Sequence, residues 1–236
     1  MASARPHGNP LKALVAFAAL CALAVAIGVA GSADAVSPRV LGKTKRTPKP
    51  ACPGNPCSAV GNVTGFQKEA DGREGIFRAK KNGKIVAFAL DLSKPDKSQR
   101  EFLGDFFRSN RFGKTPTARI AVIRRAEGSR FRLKRQSPVV KLNGLLGQKQ
   151  YFTLNKPLRM RKGDVLALTV PTWASSFATG LRPRDHQWLA SRKRGKCSGN
   201  ANIKNGSPHQ KVDTVRQYGC AYDLDRLLYW GYFVGD

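Results

Sequence analysis

The densest group of chemically capable residues lies between Leu181 and Lys196. Arg182, Arg184, Arg192, Lys193, Arg194 and Lys196 crowd this stretch, with Trp188 among them. Guanidinium forks grip phosphate or carboxylate oxygens two at a time, and an indole stacks on a base or a sugar ring. The pattern predicts a polyanion-binding surface made of these seven residues. A lone tryptophan more often belongs to a core. The alternative is therefore a basic loop with Trp188 tucked inside, tied down by the neighbouring Cys197.

Catalytic patterns are weaker. Asp185 precedes His186, and Ser175 or Ser176 would complete a triad on paper, but the chain has no Gly-x-Ser-x-Gly elbow. His209 lies by the loop Asn205-Gly206-Ser207-Pro208, and both histidines read as bare surface side chains. Asp223 and Asp225 alternate, yet glycoside hydrolysis needs two carboxylates flanking one bond. The run Asp223-Leu224-Asp225-Arg226 fits the start of the last strand instead. A lyase of acidic glycans would suit the charge, but Arg-x-Glu-x-Arg and Tyr-x-Lys-rich runs are missing. The sequence assigns no catalytic residue, no metal ligands and no cofactor.

The charge is pronounced: 42 Lys+Arg against 15 Asp+Glu, a formal +27. A field of that strength attracts polyanions, though it says nothing about fold. Where it acts depends on the N-terminus. Arg5, His7 and Lys12 form a basic opening, Ala13 to Ala30 are 18 uncharged and nearly all apolar residues, and Ser32-Ala33-Asp34-Ala35 follows. This is the pattern of a secretory signal peptide cleaved after Ala35. An uncleaved anchor is the alternative, but the apolar run is short for a span and rich in alanine. The leader removes only Arg5, Lys12 and Asp34, so 40 of the 42 basic and 14 of the 15 acidic residues remain, a net of +26. Export directs this charge towards anionic cell-wall polymers or acidic polysaccharides and away from intracellular nucleic acid. The expected location is secreted or attached to the cell surface, with no membrane span after cleavage.

Cysteine usage agrees. Cys21 leaves with the leader, and Cys52, Cys57, Cys197 and Cys220 remain. An even number in an exported chain implies two disulfides, for which three pairings exist. The local ones are expected. Cys52-Pro-Gly-Asn-Pro-Cys57 is rich in turn formers, and Cys197 and Cys220 bracket a polar loop. Zinc held by four thiolates is the competing reading, but the spacings make no Cys-x-x-Cys knuckle.

The positioning elements follow. Residues 36–58 hold five prolines among Lys43, Lys45, Arg46 and Lys49, which predicts a basic, extended linker. From residue 59 to 236 the pattern is that of β-strands. Ile76–Ala79 and Ile85–Leu92 flank Asn82-Gly83, a strong hairpin signal. Arg119–Arg125 and Arg130–Arg135 flank Glu127-Gly128-Ser129, and Tyr151–Leu154 and Asp164–Val170 flank Lys162-Gly163. Val212–Tyr218 and Leu227–Val234 complete the strands. In Arg130-Phe131-Arg132-Leu133-Lys134 the basic and apolar residues alternate, so one face packs and the other is wet. One helix is expected near 98–109, opened by a capping box at Ser98-Gln99-Arg100-Glu101 and packed through Phe102, Leu103, Phe106 and Phe107. The fold class is all-β, a mostly antiparallel sandwich or jelly roll with that single helix. Trp173 and Trp230 read as caps on its ends rather than as a sugar platform.

The runs Thr169-Val170-Pro171-Thr172-Trp173-Ala174 and Trp188-Leu189-Ala190-Ser191-Arg192, with Cys197, Tyr218-Gly219-Cys220-Ala221-Tyr222 and Arg226-Leu227, resemble an uncharacterised group of secreted actinobacterial proteins. The resemblance spans about residues 60–234. It implies a signal peptide, a single β-sandwich and a Cys197–Cys220 bridge, and no activity. The expected function is therefore non-enzymatic binding at an anionic envelope or polysaccharide, with a jelly-roll enzyme acting on acidic glycans as the alternative.

Overall fold

A computed structural model of the chain describes residues 38–109, 112–182, 184–197 and 209–236. The leader and its cleavage site lie outside the described residues. Fifteen strands and one helix are present among them. In chain order the first strands are β1 (Arg39–Leu41), β2 (Val60–Ala70), β3 (Arg73–Glu74), β4 (Gly83–Asp91), β5 (Thr117–Arg125), β6 (Arg130–Gln136), β7 (Val140–Lys141) and β8 (Lys149–Met160). They continue as β9 (Val165–Ala174), β10 (Phe177–Ala178), β11 (His186–Ala190), β12 (Val215–Gln217), β13 (Cys220–Tyr222), β14 (Arg226–Leu227) and β15 (Tyr229–Gly235). Helix α1 (Lys97–Ser109) lies between β4 and β5.

The strands form two main antiparallel sheets. The smaller has the order β1-β15-β4-β8, and the larger β12-β6-β5-β9-β2-β11-β13, with β3 and β7 on its margins. β10 and β14 make a short separate ribbon. Ile85, Phe88, Leu90 and Phe233 from the smaller sheet share one buried cluster with Ile120, Val122, Leu166 and Leu168 from the larger. The sheets approach so closely at Gly231 that any side chain there would collide with Leu166. Phe77 stacks on Tyr229 at 4.3 Å within this core. Asp164, fully buried at the start of the β9 segment, receives Arg124 through two bonds of 2.6 and 2.9 Å and the Arg161 amide at 2.8 Å. The fold is the expected all-β sandwich.

Several local readings need revision. The β5–β6 hairpin forms around Glu127-Gly128-Ser129, with Ile123 opposite Leu133. Ile76–Ala79 is not a strand. Its Phe77 is buried, but the chain there turns, touching β9 only through the bridge Arg78↔Val165. Asn82-Gly83 is not a hairpin turn either. Gly83 opens β4, which lies between β15 and β8, far away in sequence. Lys162-Gly163 does separate β8 from β9, but those strands belong to different sheets.

The helix is capped two residues earlier than expected. The Asp96 carboxylate accepts the Gln99 amide at 2.8 Å, and the Gln99 side chain accepts the Asp96 amide at 2.9 Å. This is the reciprocal box with Asp in place of Ser. Leu103 and Phe107 pack against Trp173, whereas Phe102 is 67% exposed and does not join the core.

The stretch read as a linker is built into the sandwich over its described part. β1 pairs with β15, and Leu41 is buried. The Arg226 guanidinium, itself buried, donates to the carbonyls of Arg46 and Gly42 and to the Thr44 hydroxyl. Sheet-edge pairing and one buried arginine supply the anchoring that composition alone does not reveal. Both local disulfides form, Cys52–Cys57 and Cys197–Cys220.

Candidate anion-binding surfaces

β11 places the predicted basic segment at its two ends. Arg182 and Arg184 are exposed on the turn before it, and the Arg182 Nε lies 3.6 Å from the Asp185 carboxylate. Trp188 sits inside the strand, where alternation turns His186, Trp188 and Ala190 inward. It is 3% exposed, stacked on Tyr222 at 4.5 Å and edge-on to Phe177. Its ring is therefore committed to the core, and the expected stacking platform is replaced by the packed alternative.

After β11 the chain turns. Arg192 is half-buried and donates to the Tyr222 hydroxyl at 3.0 Å and to the Gly61 carbonyl at 3.3 Å, so it braces the fold. Lys193, Arg194 and Lys196 are exposed and make no ion pair among the described residues. Three features hold their turn: the Lys196 amide bonds to the Lys193 carbonyl, the Gly219 amide bonds to the Arg192 carbonyl, and Cys197 is bridged to Cys220. A side chain at Gly219 would strike the backbone of Arg194, so only glycine fits there.

The same segment links this turn to the β5–β6 hairpin. Next to Gly219, the Tyr218 amide bonds to the Ser129 carbonyl. Arg125 and Arg130 flank that hairpin, exposed and without an acidic partner among the described residues, the Arg125 Nε donating to the Gly128 carbonyl, and Arg132 follows on β6. Asp213 is the acid that meets this strand, through Lys134 at 3.4 Å. The Tyr218–Gly219 segment thus ties together two basic turns, one bearing Lys193, Arg194 and Lys196 and the other Arg125 and Arg130, along one rim. The alternation of β6 was visible in the sequence; the bonds through Tyr218 and Gly219 that tie its hairpin and the turn after β11 to one segment were not.

A second basic group is half-buried. Asn62 occupies a bulge in β2 where the pairing with β9 slips, with a left-handed φ of 45° that asparagine tolerates. Its Oδ1 accepts the His209 amide at 3.2 Å. Arg119 on β5 and Arg216 on β12 are half-buried, and burial lowers the pKa of both. His209 is pushed down to about 4, chiefly by burial and then by Arg119, Arg216 and Lys211. Sequence reasoning missed this group, because its members come from three distant segments, around residues 62, 119 and 209–216.

The catalytic candidates are occupied otherwise. Ser175 and Ser176 are buried and donate to the carbonyls of Ser93 and Leu228. His186 is not the expected surface histidine: strand alternation turns it inward, and its pKa is lowered first by burial and then by Arg226, against Asp185 and Asp71. Asp223 accepts the Gln187 amide at 2.7 Å on the surface. Burial raises the pKa of Asp225, which borders a cleft of about 260 Å³ with Arg192, Tyr222, Phe107 and Phe177. No second carboxylate lines that cleft. Trp173 and Trp230 are buried, the former donating to the Lys114 carbonyl and the latter covered by the Lys149 ammonium at 4.0 Å. Among the described residues no three His, Cys, Asp or Glu side chains gather as metal ligands do, and no helix is long and apolar enough to cross a membrane.

Compared with known proteins, the chain matches no family model, no curated protein and no solved structure.

Proposed function

We propose that the protein is exported and binds anionic polymers outside the cell, acting as a binding module rather than an enzyme. One observation carries this reading: the turn of Lys193, Arg194 and Lys196, pinned by a disulfide, and the hairpin of Arg125 and Arg130 are both bonded to the Tyr218–Gly219 segment, and none of the five side chains has an acidic partner among the described residues. Exposed cations without internal partners cost little to hold and are available to an external polyanion. Two disulfides suit an oxidising compartment. The rim offers charge but no stacking ring, since Trp188 is packed away. Recognition therefore reads charge density and spacing rather than a base or sugar face, which favours cell-wall polymers and acidic polysaccharides.

The test is retention on immobilised heparin, DNA and an anionic cell-wall polymer as salt is raised. Binding to at least one at physiological salt, with log affinity falling linearly against log salt, is expected. Failure to bind any of the three would remove the physical basis of the reading.

A further inference from the structure

On the face of the larger sheet turned away from the sandwich core, three polar residues stand in a row. Arg119 lies opposite Thr169, and Thr169 opposite Thr64. The two threonine hydroxyls share a hydrogen bond of 3.0 Å. The chain from His209 to Lys211 crosses this row. The His209 amide reaches Asn62, and the Gln210 amide reaches the Thr64 hydroxyl at 3.0 Å. The Gln210 side chain is fully used: its Nε2 donates to the carbonyls of Phe131 and Thr214, and its Oε1 accepts from the Tyr218 hydroxyl.

Against this background of satisfied groups, three nitrogens stand out. The Nδ2 of Asn62, the Nε of Arg119 and the Nδ1 of His209 are shielded from solvent and have no hydrogen-bond partner among the described residues. Asn62 is only 3% exposed. Its amide orientation is fixed, because Oδ1 already receives the His209 amide, so Nδ2 is a true donor. Folded proteins rarely leave buried donors idle, and such groups call for an explanation. The charges that face His209 are Arg119, Arg216 and Lys211, and no carboxylate offsets them. Residues 198–208, which lead into His209, contain no Asp or Glu.

We propose that Asn62, Arg119, His209 and Arg216 form a binding site for a single oxyanion group, sulfate, phosphate or carboxylate, either free or carried on a polymer. An oxyanion accepts several N–H donors at once and pairs with guanidinium forks. It would satisfy the Arg119 Nε and the Asn62 Nδ2, and His209 with its proton on Nδ1, while balancing the two arginines. The niche deepens the polyanion reading by naming a chemical group, and rests on that reading only for the carrier of the group.

The experiment follows the His209 ring by NMR during pH titration, in sulfate and in chloride at equal ionic strength. Sulfate does not itself titrate in the relevant range. In chloride the apparent pKa is expected at about 4. In saturating sulfate a neighbouring anion favours the imidazolium and raises it by at least about one unit. A sulfated heparin fragment, tested in parallel, distinguishes a polymer-borne group from a free ion by the lower concentration needed. Asn62→Asp keeps the oxygen that holds His209 and puts a carboxylate oxygen in place of Nδ2, in a backbone conformation aspartate tolerates. This variant is expected to show the raised pKa without sulfate and no further response to it. Arg119→Gln is expected to abolish the sulfate response as well. A niche that holds only water would leave His209 equally unmoved by sulfate and chloride, and that result overturns the proposal, as does an Asn62→Asp protein that responds like the parent. Polymer retention with a normal salt slope but no His209 response would refute the niche alone; a His209 response without polymer retention would refute the polymer reading alone.

Discussion

Strand β5 carries two arginines five residues apart that meet opposite fates. Arg124 lies at the end of the sandwich and is held by the fully buried Asp164 in a two-point grip. Arg119 lies on the other face of the same sheet, half-buried, with its Nε shielded from solvent and unpartnered. The first arginine closes the fold. The second leaves a positive charge that nothing in the described chain neutralises. With so few acids in a chain of net charge +27, internal pairing goes to a few structural positions and the remaining cations face outward or wait for a ligand.

This contrast can be broken by mutation. Asp164→Ala would strand Arg124 and the Arg161 amide, and a loss of about 3–5 kcal/mol in urea unfolding is expected. Arg119→Gln removes no internal partner, so its effect should stay within about 0.5 kcal/mol. An equal cost for the two substitutions would erase the distinction. Replacing Cys197 and Cys220 with serine opens a loop with a sequence separation of 23, and should cost about 3 kcal/mol while loosening the turn that presents Lys193 to Lys196.

Acid sharpens the same difference. His209 and His186 have folded pKa values below the ordinary value of 6.5. Below that pH the unfolded chain binds more protons than the folded one. Stability is therefore full above about 6.5 and falls as pH drops towards the folded value of about 4 at His209. Urea midpoints should decline across this window, and His209→Gln should shallow the decline. The smallest effect on stability belongs to the rim. Changing Lys193, Arg194 and Lys196 together to alanine should move stability by no more than about 0.5 kcal/mol. The same change should reduce the salt slope of polymer binding by about two to three, the number of lost ionic contacts. An unchanged slope would remove the turn from the binding surface.

The sequence carried the local features. The β5–β6 hairpin was legible because its turn and both alternating strands are contiguous. The helix was legible from its apolar spacing, though Asp96 rather than Ser98 caps it. Asn82-Gly83 misled because β4 finds its partners in β15 and β8, and pairings that distant leave no local signature. Trp188 misled for another reason. Its basic neighbours suggested a ligand platform, while the period-two pattern that turns it inward is confined to five residues. The basic composition was plain, but the niche was not. The bond between Asn62 and His209 spans 147 residues, and no spacing in the chain predicts it.

The most direct test is to observe the Nε–H groups of Arg119 and Arg124 by NMR in the same sample. In chloride a hydrogen-bonded proton, shifted downfield, is expected at Arg124 and an unbonded one, upfield of it, at Arg119, with sulfate moving the Arg119 signal alone. Two protons equally far downfield before any oxyanion is added would show that Arg119 already has an internal partner, and would contradict this contrast.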